Sequence, residues 1–240
     1  MSGPGAARAT RRNFLRQLGA DALGAGVLGA GALAGVGCRD GVTDPLARAT
    51  IALDHPSGPL NLAYTLAQFM ADFYSRAVVT PLAIIPNSNF VGMTMLEYRA
   101  LGALAYHKNA QRGALTLLIH ADRVPDVLLF DFTSIDFSSR ASVMGHAQPW
   151  EDLGVAALNG LVPKLRNATD LTLVAKLASS WARHAAVIRD LNDIAAGRAN
   201  TPGRTAFAAN VSAAGLGQTA DAAAVLAAIQ PYVRTRLATS

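Results

Sequence analysis

Apolar residues recur along this chain at the three-to-four-residue spacing of amphipathic helices, in four long blocks divided by turn-forming segments. The first block runs from about Pro59 to Val79. Leu62, Leu66, Phe69, Phe73 and Ala77 form one stripe, and Pro81 is expected to stop the helix. The turn Pro86-Asn87-Ser88-Asn89 leads to a second helix over about Met93 to Ile119. A third is expected from Ser138 or Ser139, either able to cap it, to near Leu165. Asp170 is expected to cap a fourth, which carries Leu173, Leu177, Trp181, His184 and Ile188 and ends near Asp193.

Four helices of this length in one core-sized unit predict an all-α fold, a four-helix bundle over residues 58–195. About twenty residues join the second and third helices, and Phe130, Phe132 and Phe137 make them an apolar crossover lying on the bundle. Such a connection lets those two helices run parallel. Residues 39–57 read as a linker. Residues 196–240 read as a C-terminal extension with an extra helix over about Ala220 to Leu237, interrupted near Pro231.

Composition supports one helical core: 240 residues, 51% hydrophobic but only 6% aromatic. The net charge of +5 changes meaning once located, because Arg8, Arg11, Arg12 and Arg16 all precede Cys38. The rest of the chain holds 17 Lys+Arg against 15 Asp+Glu. No basic stripe with interleaved aromatics remains, which argues against nucleic acid as a partner.

The first 38 residues read as an export signal. Thr10-Arg11-Arg12-Asn13-Phe14-Leu15-Arg16 resembles the twin-arginine consensus, and a Gly/Ala-rich apolar run follows from Leu18 to Gly37. Two ends of this segment stay open. Ala32-Leu33-Ala34 fits ordinary signal cleavage, whereas Cys38 stands where a lipoprotein cysteine would and offers membrane attachment. Either way the expected location is the cell envelope, in the periplasm or membrane-attached. The single cysteine excludes an intramolecular disulfide framework and a cysteine metal cluster.

Leu60-Asn-Leu-Ala-Tyr-Thr-Leu-Ala-Gln-Phe-Met-Ala-Asp-Phe-Tyr74 and Phe130-Asp-Phe-Thr-Ser-Ile-Asp-Phe-Ser-Ser-Arg140 resemble the opening helix and crossover of the exported ferritin-like proteins. Desiccation-related proteins belong to that group. Trp150-Glu-Asp-Leu-Gly-Val-Ala-Ala-Leu-Asn-Gly160 resembles their third helix and Ala182-Arg-His-Ala-Ala-Val-Ile-Arg-Asp190 their fourth. The resemblance implies a di-iron site built from one Glu on each of two helices and a Glu-x-x-His pair on each of the other two. Carried over, the six positions are Ala67, Lys108, Gln111, Glu151, Trp181 and His184. Only Glu151 and His184 keep a ligand type. Glutamate occurs nowhere else but Glu97, so no other register supplies the set, and Asp72 and Asp152 are the nearest substitutes.

The expectation is therefore a degenerate metal site with no cofactor and no catalytic residue. Lys108 would neutralise Glu151, His184 and Gln111 would complete the hydrogen bonds, and Trp181 would fill the vacated volume. The role implied is a structural, stress-related or interaction protein of the envelope, engaging a partner that the sequence does not name. The alternative is a divergent metal-binding oxidase or small-ligand-binding bundle, with Glu151 and His184 holding a metal with outside help or lining an open cavity. His55, His107, His120 and His146 read as solvated or capping side chains. Ser179-Ser180 before His184 lacks the elbow of a nucleophile, and phosphate-loop and dinucleotide motifs are absent.

Overall fold

The computed structural model describes residues 48–84, 92–119, 122–123, 128–198 and 217–240. Arg11, Arg12, Cys38, His120 and the Pro86–Asn89 turn lie outside these residues. Residues Asp40–Ser240 form one compact unit.

Four long helices build that unit: α1 (Gly58–Ile84), α2 (Met95–Ile119), α3 (Arg140–Leu161) and α4 (Ala168–Ala195). A shorter helix, α5 (Ala222–Ile229), follows. Two four-residue strands, β1 (Arg48–Ile51) and β2 (Arg236–Thr239), flank the set. The apolar stripe of α1 is buried as expected, with Leu62, Leu66, Phe69, Phe73 and Ala77 all at most 2% exposed. The helix passes Pro81 and continues to Ile84 instead of stopping before it.

Helix ends follow local chemistry. At the start of α2, Thr94 and Glu97 form a reciprocal capping box: the Glu97 amide donates to Thr94 Oγ1 (3.2 Å) and the Thr94 amide to Glu97 Oε2 (2.8 Å). Ser139 caps α3 by accepting from the Ser142 amide. The cap of α4 is Asn167, not Asp170: Asn167 Oδ1 accepts from the Asp170 amide at 2.8 Å while its Nδ2 donates to the Asp170 carboxylate at 2.7 Å. Asp170 thus serves in the first turn, where a negative charge complements the helix dipole.

Helices α1 and α2 pack closely together, as do α3 and α4. Asn61, near the start of α1, donates to the Asp122 carbonyl just beyond the end of α2, so this pair is antiparallel. Glu97 at the start of α2 accepts from Arg140 Nε at the start of α3 (2.7 Å), so α2 and α3 begin at the same end of the bundle and run parallel. The crossover makes this possible by returning along the bundle. Phe132 lies 5.5 Å from Phe69 and 6.1 Å from Phe73, Phe137 lies 5.8 Å from Phe73, and the Leu128 amide donates to Gln68 on α1.

The ends of this unit depart from the sequence reading. The segment expected to be linker contains β1, and the expected helix to Leu237 ends at Ile229. A 3₁₀ turn over Gln230–Tyr232 follows, and then β2, which pairs in parallel with β1 (Arg48 with Arg236, Ile51 with Thr239). Pro231 lacks the amide that a continuing helix needs, and β1 offers the following residues a ladder instead.

Candidate functional site: a buried ion pair at the bundle centre

All six positions carried over from the resemblance lie on the four long helices, and five of them are buried: Ala67, Lys108, Glu151, Trp181 and His184. Gln111 is half-buried. Lys108 Nζ on α2 donates to Glu151 Oε2 on α3 at 2.8 Å, with both side chains fully excluded from solvent. The ammonium also sits over the Trp181 indole, 3.5 Å from the ring centroid. One cation is therefore held by a carboxylate and by an aromatic face, which is the pairing that makes a charge tolerable in a core.

Burial acts on both partners in the direction of neutrality. It pushes the Lys108 ammonium down to about 8, while Glu151 opposes the fall. It raises Glu151, while Lys108 opposes the rise. Whether the proton sits on nitrogen or oxygen, the pair as a whole carries no net charge.

Around this pair the expected and observed partners differ. Gln111 does not bond Glu151. Its Oε1 accepts from Trp181 Nε1 at 2.7 Å, and its Nε2 donates to Ser180 Oγ at 3.1 Å. A buried indole N–H needs an acceptor, and Gln111 is the one within reach. His184 also turns away from Glu151. Its Nε2 lies 3.3 Å from His107 Nδ1, in a pair of nearly parallel rings whose centroids, 5.3 Å apart, are too distant for face-to-face contact. His107 was expected to be merely solvated; it is exposed, yet it closes this pair. Burial first, then the charges of Lys108, His107 and Arg183, push His184 down to about 3, so the ring is neutral.

The structure adds Tyr74 and Gly154 to the site. The Tyr74 phenol on α1 is raised well above its ordinary value by burial and by the neighbouring Glu151 charge. It lies against the carboxylate, although neither its oxygen nor Glu151 Oε1 completes a hydrogen bond of good geometry. Among the described residues, His184 Nδ1 likewise has no partner. Gly154, one turn after Glu151, leaves the space into which the Trp181 ring inserts. A glycine in the interior of a helix was the available signal.

Other carboxylates near the bundle are engaged elsewhere. Glu97 serves the α2 cap and Arg140, Asp72 pairs with Arg76 at 2.8 Å, and Asp152 pairs with Arg189. Among the described residues no three His, Cys, Asp or Glu side chains converge as a metal-binding group. The grooves along α4 and between Leu118 and α4 are lined by none of Lys108, Glu151, Trp181 or His184.

No curated protein matches the chain by sequence. The ferritin-like domain family, in contrast, matches residues 58–193, which are the four long helices and the crossover that bring Lys108, Glu151, Trp181 and His184 together. By that match the chain belongs to the ferritin-like domain family.

Proposed function

We propose that this is an exported ferritin-like protein whose di-iron centre has been replaced by an internal ion pair, and that it serves the cell envelope as a structural or interaction protein, not as an oxidase. The observation that carries this reading is the Lys108–Glu151 contact: a fully buried ammonium on the one carboxylate that the ligand pattern retains. The donor set does not fit two irons. Glu151 gives one oxygen to Lys108, His184 shares Nε2 with His107, and the chain's other glutamate is held by Thr94 and Arg140. Trp181 and Ala67 offer no donor, and hard oxygen ligands are what iron requires. Export rests on the Arg11-Arg12 segment, and attachment on Cys38; likeness to desiccation-related proteins adds a stress role by analogy alone.

Elemental mass spectrometry on the exported protein, before and after ferrous iron in air, tests the central point. The expected result is folded, helical, metal-free protein in both samples. Near-stoichiometric iron that disappears in Glu151→Ala and His184→Ala variants would overturn it. The export half is tested separately, by replacing Arg11 and Arg12 with Lys and following the protein by cell fractionation, which should leave it in the cytoplasm.

A further inference from the structure

The side of the bundle shared by α2 and α4 has an unusual surface. His107 meets His184 and Gln111 meets Ser180 across it, so the two helices are neighbours there. Outward from that seam the helical repeat places Leu96, Leu117 and Leu118 on α2 and Val187 and Ile194 on α4, between 43% and 63% exposed. Solitary exposed apolar residues are ordinary, but five large ones along one side of a helix pair are not.

The exposed charges described on this side have one sign. Arg99, Lys176 and Arg183 are exposed and form no ion pair among the described residues. The only carboxylate of α2, Glu97, is buried and bound to Arg140. Asp170, near the start of α4, accepts from Asn167, and Asp190, between Val187 and Ile194 on the same stripe, is half-buried and already engaged. The crossover side behaves differently: Asp72 and Asp131 each pair with an arginine there.

We propose that the α2–α4 face lies against the anionic surface of a phospholipid membrane. Apolar side chains reaching into the headgroup layer, with long cationic side chains beside them, are the features that hold a protein at such a surface. No helix among the described residues is long and apolar enough to cross a membrane, so the contact is peripheral. A second copy fits less well, because a two-fold interface sets a patch against itself and would bring these cations together. The choice of lipid over an acidic protein rests on the envelope location proposed above. If Cys38 is acylated, the residues between it and Arg48 span at most about 34 Å, which keeps the bundle within reach of the bilayer.

The test uses residues 40–240, which form their own compact unit and lack both the signal segment and Cys38. Its outcome therefore does not depend on export or acylation. Co-sedimentation is measured with phosphatidylcholine vesicles, with and without phosphatidylglycerol. Binding is expected only to the anionic vesicles, weakening as salt rises. Lys176→Glu with Arg183→Glu, and separately Leu117→Ser with Leu118→Ser, should each weaken it at least tenfold, with circular dichroism showing retained helix. Equal partition onto neutral vesicles, no partition at low salt, or variants that bind like the parent would overturn the proposal. So would a dimer in sedimentation equilibrium that is lost in the Leu117/Leu118 variant, since the face would then belong to a second copy.

Discussion

Gly154 on α3 lies directly under the Trp181 ring of α4: a Cβ at position 154 would stand 2.3 Å from Cε3 and 2.4 Å from Cζ3 of the indole. Replacing a helical glycine by alanine ordinarily adds about 0.5–1 kcal/mol of stability. Here the sign should reverse. Gly154→Ala is expected to cost about 1–3 kcal/mol through overpacking. In urea denaturation the loss should shrink when Trp181→Leu is also present, because the smaller side chain vacates the contact. A stabilised Gly154→Ala protein would mean that the indole does not occupy this space.

Removing Lys108 should hurt more than removing the pair. Lys108→Met leaves Glu151 buried without its cation, at an expected cost of about 3–5 kcal/mol at neutral pH. Lys108→Met combined with Glu151→Leu should recover most of that. The single variant's deficit should also diminish in acid. Burial raises Glu151 in the fold, so as pH falls the folded state takes up the proton first and the uncompensated charge disappears. A Lys108→Met protein as stable as the parent at pH 7 is incompatible with the pair described here.

His184 should make the fold acid-sensitive. Its folded value of about 3 lies below the ordinary 6.5, so between those limits the unfolded chain binds a proton that the folded chain refuses. Its contribution to stability is whole above pH 6.5 and declines below it, by up to about 1.4 kcal/mol per pH unit. Denaturation curves at pH 7, 6 and 5 should show this slope in the parent and a shallower one in His184→Gln. Equal slopes would place a proton on His184 in the folded state.

The small sheet should matter to stability but not to the bundle's helices. Leu237 on β2 is 8% exposed and pairs with Ala49, next to which Ile51 is 1% exposed. Leu237→Asp should cost about 2–4 kcal/mol. Limited proteolysis should then cut near β1 while far-ultraviolet circular dichroism changes little. Resistance equal to the parent's would show that β1 is held without its partner.

Much of the bundle was legible because its signals are local. The stripe from Leu62 to Ala77, the Ser139 cap and the phenylalanines of the crossover each announce themselves within a few residues. The α4 cap was misplaced because Asn167 and Asp170 are both capping types at capping-box spacing, and only the first stands before the helix. Strand β2 falls in a stretch with helical spacing, and its pairing partner lies near the other end of the sequence, beyond any local window. The Lys108–Glu151 contact could be inferred from what the ligand pattern lacks. Its surroundings could not: the hydrogen-bond needs of the Trp181 indole, and the meeting of His107 with His184, depend on how two helices face each other.

The pairing of Arg48 with Arg236 closes a loop of roughly 190 residues, far longer than any contact within the hairpin of α1 and α2. Helices and helix pairs assemble from near neighbours and form early, whereas so distant a closure is slow to find. Order of events follows from this. The bundle, with its core charges already matched, is expected to exist before its two chain ends are joined. Amide exchange at Leu53 and Ser240, whose amides donate to the Ser240 and Ile51 carbonyls and so extend the pairing of β1 with β2, would then become protected last, after that of α1 and α4.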